Sequence, residues 1–356
     1  MGDNGQPVLG SLYVYAPNKG APVFFAIAFA ASAVGHIWQC YRYRCFKMIG
    51  LHPVCAVLFA AGYALREYGS FNFMYSPENP SLIIFILSQV CIYVCPPLLE
   101  LANYHVLGRV LYYVPYLAPL PPGRVLSTFG GLMALIELLN SLGVALSANP
   151  SSSHSQQELG SHLTIAALTL QFGVIITFMI IAVTFHRRCA NANIRVKAVS
   201  TPLITLYISM GLILLRCIYR LVEHVTGSTT VDLNSVEALN ALSPILRYEW
   251  YFYVFEATLM LINSVLWNVW NPGRYLPRNH HVYLAKDGTT EIQGEEAPDE
   301  RSFANKAGHV LTFGILFRRK EARRGFQELE ELSDARPIEP GPSSTVLGPT
   351  TSTSNH

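Results

Sequence analysis

Charged residues are scarce in this chain of 356 amino acids. Asp, Glu, Lys and Arg make up 13% of it, about half of the roughly 25% that is usual in globular proteins. Hydrophobic residues make up 51%, and a water-soluble fold of this size needs more charge to cover its surface. The net charge of +2 gives no global sign of a nucleic-acid partner. The composition therefore favours a protein that crosses a membrane several times.

Sequence patterns of other protein classes are missing as well. The seven cysteines lie in or beside apolar runs without CxxC spacing, which argues against a disulfide framework or a zinc site. His36 is interpreted as an interior histidine, and His52 forms no ligand-spaced pair. The chain has no HExxH, GxSxG, Walker A or Rossmann glycine motif, and no soluble segment that could house a nucleotide-binding domain. We therefore expect no metal, no cofactor and no enzymatic activity.

Seven apolar runs approach the roughly 20 residues that a helix needs to cross about 30 Å of hydrocarbon. The second run is the weakest, because His52 and Pro53 interrupt its start, and Pro96-Pro97 in the third run predicts a kink. The sequence therefore predicts an all-α fold, a polytopic bundle of seven transmembrane helices. The predicted spans lie near residues 22–41, 48–66, 82–103, 125–147, 161–185, 201–221 and 249–270.

The distribution of basic residues predicts how the bundle is oriented. Lys and Arg concentrate in cytosolic loops of membrane proteins, and the loop around 148–160 has none. The basic loop residues are Arg42, Arg44, Lys47, Arg109, Arg124, Arg187, Arg188, Arg195 and Lys197. This pattern predicts an extracellular N-terminus over 1–21, a transmembrane domain over 22–278 and a cytosolic tail over 279–356. The tail holds 12 of the 23 acidic residues, and we expect it to be largely disordered.

Two stripes of charged residues lie on the sixth and seventh spans. Arg216, Arg220 and Glu223 fall at i, i+4 and i+7, so they share one face of a helix. The stripe on the seventh span consists of Glu249, Tyr253, Glu256 and Met260. Because consecutive spans are antiparallel, we expect the two stripes to face each other near the outer end. Arg66, at the outer end of the second span, is placed to join them.

Two interpretations of these stripes are open. Charge pairs inside a bundle often fix the geometry of the helices, and this structural role is slightly favoured for Arg216 and Glu249. Glu256 lies deeper and is the better candidate for contact with a ligand head group or a proton, because ionisable residues inside a membrane usually face the interior or a cavity.

Further polar residues lie inside the other spans. Glu137 and Asn140 are near the middle of the fourth span, where they either hydrogen-bond to each other or serve as a proton relay or a counter-charge for a cation. Gln171 is more typical of a contact between helices than of a ligand contact. The candidate substrate or proton-binding residues are Glu256, Glu137, Glu100, Asn140, Gln171 and Tyr253. The candidates for structural ion pairs are Arg216, Arg220, Glu223, Glu249 and Arg66.

Two of these stretches match a known family signature. Residues 216–223 read RCIYRLVE with Gly227 after them, and residues 249–260 read EWYFYVFEATLM with NPG following at 271–273. With these motifs, residues 20–278 resemble the fungal lipid-translocating exporter family, whose members are seven-helix proteins linked to aminocholesterol resistance and export of sphingoid long-chain bases. The family usually has Asp at the position of Glu256, and its fourth-span acid lies where this chain has Met133.

The resemblance implies export of amphipathic lipids or toxic amphipathic compounds, resistance to them, and a location in the plasma membrane. Its expected partners are membrane lipids or amphipathic small molecules, and no nucleic acid. The alternative is a seven-helix receptor or sensor of lipid or membrane stress, suggested by the outside-N, inside-C topology and the basic loop at 187–197.

Overall fold

The computed structural model is mostly helical. It describes residues 8–74, 81–120, 122–148, 153–227, 237, 239, 242–277, 282–285, 288 and 290–293. Most of the predicted tail, residues 294–356, lies outside the described residues.

The α-helices of the described residues are numbered in chain order. They are α1 (Ala21–Tyr43), α2 (Phe46–Ile49), α3 (Leu51–Phe71), α4 (Ser81–Tyr93), α5 (Cys95–Tyr113), α6 (Pro122–Ala148), α7 (His154–Asn191), α8 (Lys197–Thr226), α9 (Pro244–Arg247), α10 (Glu249–Phe252) and α11 (Leu259–Val269). A π-helical turn (Tyr253–Thr258) joins α10 to α11, and 3-10 turns occupy Pro115–Leu117 and Pro272–Arg274.

Within the described residues, six helical segments are long and apolar enough to cross a membrane. They are Ala21–Tyr43, Ser81–Tyr113, Val125–Ser147, His154–Asn191, Lys197–Thr226 and Glu249–Arg274. The sequence predicted seven, and the helix not among the six is α3, which carries His52, Pro53, Arg66 and Glu67. It is nevertheless a helix of 21 residues that packs against α1 and α4. The second predicted span, which is the weakest in the sequence, is thus the one that is missing from the six apolar helices. The count of seven is not confirmed.

The third predicted span is divided at the two prolines. The helix breaks between α4 and α5 at Val94, directly before the Cys95-Pro96-Pro97 start of α5, because a proline ring clashes with the preceding turn. Beyond the break, α5 is buried along most of its length and packs against α3, α6 and α8. The centre of the bundle is thus built around α5, which carries Glu100.

Two segments outside the predicted spans pack onto the bundle. We call the end at which residue 21 lies the outer end, following the predicted orientation. There, residues 8–20 run beside the end of α3, with an antiparallel bridge between Ser11 and Met74. At the opposite, inner end, strands β1 (Val282–Leu284) and β2 (Glu291–Gln293) form an antiparallel hairpin.

The hairpin at the inner end is attached to the end of α5. The Tyr113 hydroxyl donates to Glu291 at 2.7 Å, and the Tyr116 hydroxyl donates to the carbonyl oxygen of Ala285 at 2.8 Å. The predicted boundary at residue 278 therefore separates the bundle from a segment that packs against it. The sequence predicted that this segment belongs to a largely disordered tail.

Helices α6 and α7 approach each other closely at two glycines. A Cβ atom on Gly160 would lie 2.6 Å from the carbonyl oxygen of Gly143 and 2.7 Å from the amide nitrogen of Ser147. Small residues permit such approaches between membrane helices, so this contact requires glycine for its lack of a side chain.

We expect Gly160→Ala to destabilise the protein by about 1–3 kcal/mol, because the methyl group forces the two backbones apart. The matched control is Gly173→Ala on the same helix, where a Cβ atom meets nothing within 4 Å. That change should be neutral or stabilising by up to about 1 kcal/mol. Unfolding of the purified protein in detergent, followed by circular dichroism, measures both changes. Equal stability of the two variants would contradict the close packing.

Candidate functional site

The predicted charge stripes meet in an ion pair inside the bundle. The Arg216 Nε on α8 donates to both carboxylate oxygens of Glu256, at 3.0 and 2.9 Å. Arg216 is 5% exposed and Glu256 is 0% exposed. Glu256 lies in the π-helical turn, where the Thr258 hydroxyl donates to the carbonyl oxygen of Tyr253. A π turn inserts one residue into the helical repeat and is frequent at functional sites, so here it redirects the side chains around Glu256.

A second ion pair lies nearer the outer end. The Arg66 Nη2 on α3 donates to Glu249 at 3.1 Å and to the Tyr15 hydroxyl at 3.0 Å. The Arg66 Nε donates to the Tyr253 hydroxyl at 3.4 Å. The guanidinium also lies 4.2 Å from the ring centroid of Phe252, within the range of a cation–π contact. Arg66 is thereby held by charge, hydrogen bonds and an aromatic face together.

The N-terminal segment completes the surroundings of Arg66. The backbone amide of Asn18 donates to Glu249 at 2.7 Å, and the ring of Tyr13 lies 4.7 Å from the Arg66 guanidinium. Burial raises the pKa of the Tyr15 hydroxyl, so it stays protonated at physiological pH. Residues that the sequence analysis assigned to an extracellular terminus thus cover the outer ion pair.

The third pair is local to α8. The Arg220 Nη1 donates to Glu223 at 2.5 Å, three residues along the same helix, and the guanidinium lies 4.2 Å from the ring centroid of Tyr93. Side chains at i and i+3 are neighbours on a helix, so Arg220 hydrogen-bonds along its own helix and interacts with Glu256 of the seventh predicted span only electrostatically. The five predicted ion-pair residues therefore belong to separate pairs.

Glu100 forms a hydrogen-bonded group with two neighbours at the centre of the bundle. The Tyr104 hydroxyl, one turn along α5, donates to one carboxylate oxygen, and the Gln171 Nε2 on α7 donates to the other at 2.9 Å. Glu100 and Gln171 are both buried. The prediction that Gln171 contacts a neighbouring helix agrees with this geometry, and Tyr104 is a partner that the sequence analysis did not name.

Glu137 lies on α6 within hydrogen-bonding range of Asn140, and it is near enough to interact electrostatically with Arg216 and Glu100. Glu137 and Asn140 are partly exposed, whereas Glu100 and Glu256 are fully buried. We call Arg216, Glu256, Glu100 and Glu137 the interior charge cluster. It holds one basic and three acidic groups.

The described part of the chain has no group of three or more His, Cys, Asp or Glu side chains that could hold a metal ion. The charged and hydrogen-bonding side chains described above make up the candidate site.

The six long apolar helices make this chain an integral membrane protein. Residues 53–279 match the family model described as RTA1 like protein. That match covers more than half of the chain, and the chain belongs to this family.

Three fungal relatives are informative. The "Lipid-translocating exporter-like protein RTA1" of Leptosphaeria maculans is 56% identical over 316 residues, which are 88% of this chain and 60% of that protein. "Protein RTA1" of Saccharomyces cerevisiae is 26% identical over 81% of this chain and 93% of its own length. The "Probable lipid transporter atnI" of Emericella nidulans is 24% identical over 75% of this chain and 69% of its own. No solved structure matches.

Proposed function

We propose that this protein moves amphipathic lipids across the plasma membrane and exports them, and that it recognises a positively charged head group such as the amine of a sphingoid base. Two of the relatives are named as lipid-translocating or lipid-transporting proteins, which supports transport and argues against catalysis. Export of toxic amphipaths by the same route would confer resistance to them.

The charge balance of the interior cluster carries this proposal. Arg216 is paired with Glu256, and Glu100 and Glu137 interact with the same arginine at longer range. The cluster therefore has more acidic than basic groups in a region of low dielectric, where charge–charge interactions are strong. A cationic head group or protons would compensate the remaining acids, and an anionic head group would be repelled.

The location of Glu137 offers an entry for such a head group. It is the partly exposed acid of the cluster, and its helix α6 packs between α5 and α7. A lipid that approaches α6 could place its amine against Glu137 while its acyl chain stays in the bilayer. In this mechanism Glu256 and Arg216 hold the helices in place, Glu100 and Gln171 line the inner wall of the site, and Glu137 and Asn140 contact the substrate.

The proposal includes seven spans with the N-terminus outside and the C-terminus in the cytosol. Helix α3 has 21 residues, which at 1.5 Å per residue is about 30 Å and enough to cross the hydrocarbon. An epitope tag at the N-terminus should be stained on intact cells, and one at the C-terminus only after permeabilisation. The reverse staining would refute this orientation.

A matched pair of lipids tests the function itself. Proteoliposomes containing the protein should move a fluorescent sphingoid base across the bilayer about tenfold faster than its N-acetylated counterpart, which lacks the positive charge. Tenfold corresponds to about 1.4 kcal/mol of head-group interaction. Extraction of the label by albumin from the outer leaflet measures the rates, and empty liposomes give the background. Rates at background for both lipids would refute lipid translocation, and equal rates above it would refute recognition of charge.

A further inference from the structure

A second polar layer, which the proposed function does not use, lies deeper in the bundle towards the inner end. The imidazole rings of His36 on α1 and His52 on α3 stack with centroids 5.6 Å apart. The His52 ring lies 5.1 Å from that of Trp267 on α11, and Asn263 is one helical turn before Trp267 on the same side. Three helices thus bring two histidines, an amide and an indole together.

Much of the hydrogen-bonding capacity of this layer has no protein partner. Both ring nitrogens of His52, the Nδ1 of His36 and both amide atoms of Asn263 are buried without a hydrogen bond. All three residues are at least 99% buried. A buried polar group without a partner is costly in an apolar medium, and apolar side chains would fill the same space at no such cost. Clusters of this kind in proteins are usually satisfied by ordered water.

A chain of hydrogen bonds leads from this layer towards the interior charge cluster. The Trp267 Nε1 donates to the Ser209 hydroxyl at 3.0 Å, and the Asn103 Nδ2 donates to the same hydroxyl at 2.9 Å. Asn103 is three residues after Glu100 on α5, and Ser209 is seven residues before Arg216 on α8. These spacings place each polar residue on the same side of its helix as a member of the cluster.

Helix α11 also carries a polar residue that is aligned with a member of the interior charge cluster. Asn263 lies seven residues after Glu256, on the same side and about 10 Å along the axis. Three neighbouring elements therefore present one polar column, with the charge cluster above, Asn103 and Ser209 in the middle, and the two histidines below.

We propose that His36, His52 and Asn263 form a water-holding proton relay that connects the inner end of the bundle with the interior charge cluster. Water hydrogen-bonds the unpartnered nitrogen and amide atoms. A proton from water on one side binds one ring nitrogen, and the proton on the other nitrogen leaves to the next water. The ring is then neutral again but in its other tautomer, and it must rotate back before the next proton is transferred in the same direction. The membrane proton gradient drives net transfer. That this transfer powers lipid movement rests on the proposed function.

The surroundings of the two rings contain few other titratable groups. On the same helices, Cys40 lies one turn after His36, and Cys55 lies one turn after His52, in contact with Cys95 of α5. From α11, Ser264 hydrogen-bonds the Nε2 of His36 at 3.3 Å. From α1, the ionisable group that faces His52 is the ring of His36.

Hydrogen–deuterium exchange at the imidazole C2 position, followed by mass spectrometry of the protein in lipid nanodiscs, tests whether water reaches this layer. This exchange needs both solvent and a ring that can take a proton. The exposed His162, whose side chain is 71% accessible, serves as the internal standard. We expect His36 and His52 to exchange within about tenfold of the rate of His162. Absence of exchange at both rings while His162 exchanges would overturn the relay.

A pH gradient across proteoliposomes tests the coupling. A gradient of one pH unit should accelerate lipid translocation several-fold in the wild type. His52→Gln and Asn263→Leu should lose this acceleration while keeping the gradient-free rate, and His105→Gln, whose Nδ1 is bound to the carbonyl oxygen of Leu101, should retain it. A wild-type translocation rate that is the same with and without the pH gradient would refute the coupling. If the wild type moves no lipid under either condition, the proposed function fails, and the imidazole exchange alone decides the relay.

Discussion

Glu256→Gln should lower the free energy of unfolding by about 3 kcal/mol, because it removes the counter-charge that is hydrogen-bonded to the Arg216 guanidinium inside the bundle. Removing one partner of a buried ion pair typically costs about 3–5 kcal/mol, and the amide oxygen of Gln still accepts one hydrogen bond. Denaturation of the purified protein in mixed detergent micelles measures the change. This loss of stability reflects the structural role of Glu256. Lipid transport by the variant must therefore be corrected for the amount of folded protein.

Two further variants show whether the loss arises from the unpaired charge. The double substitution of Arg216→Met with Glu256→Leu removes both charges and should lie within about 1 kcal/mol of the wild type, because apolar residues of similar volume can replace a buried pair. Glu158→Gln changes an exposed glutamate on α7 and should leave the stability unchanged. If the double variant were as unstable as Glu256→Gln, the charge imbalance would not be the cause.

Arg66→Met should destabilise the protein by about 4 kcal/mol and release the N-terminal segment from the outer end. The substitution removes the ion pair with Glu249, the hydrogen bonds to Tyr15 and Tyr253, and the contact with the Phe252 ring. Hydrogen bonds that involve a charged group contribute about 1.5–3 kcal/mol each. Amide hydrogen exchange over residues 11–20 should become at least tenfold faster, because this segment loses its attachment.

Tyr15→Phe is a milder variant for comparison with Arg66→Met, because it removes only one of the same contacts. It removes one hydrogen bond to the charged guanidinium and keeps the ring, so the expected loss is about 1.5 kcal/mol, with a smaller change in exchange over residues 11–20. An Arg66→Met variant that is no less stable than Tyr15→Phe would contradict the central position of Arg66. A stable Arg66→Met protein with unchanged exchange would show that other contacts hold the segment.

Helical spacing was sufficient to predict that the two stripes face each other, but the prediction gave Glu256 to a head group or a proton, whereas the structure pairs it with Arg216. Residues at i, i+4 and i+7 share a helix face whatever the surrounding fold. The stripes on α8 and on the seventh predicted span could therefore be identified from the sequence. Arg220 instead forms its ion pair with Glu223 on the same helix. The position of the Pro96-Pro97 break also followed from local rules about helices.

Other parts of the site depend on long-range packing that no local pattern encodes. The contacts of Tyr15 and Asn18 with Arg66 and Glu249 join positions up to 231 residues apart. The π turn around Glu256 gave no recognisable signal in the sequence. His36 and His52 were each interpreted singly, and their stacking appears only when α1 and α3 are packed together.

The rate at which Glu137→Gln moves a fluorescent sphingoid base is the most direct test of the account. Glu137 is the acid of the interior charge cluster that a head group can approach from the membrane, and Gln keeps its size while it removes its charge. We predict translocation at least tenfold slower than in the wild type, with unchanged stability and an unchanged rate for the N-acetylated lipid. Glu158→Gln on the neighbouring helix should behave as the wild type. A Glu137→Gln protein that is folded and moves the cationic lipid at the wild-type rate would contradict recognition of the head group by this cluster.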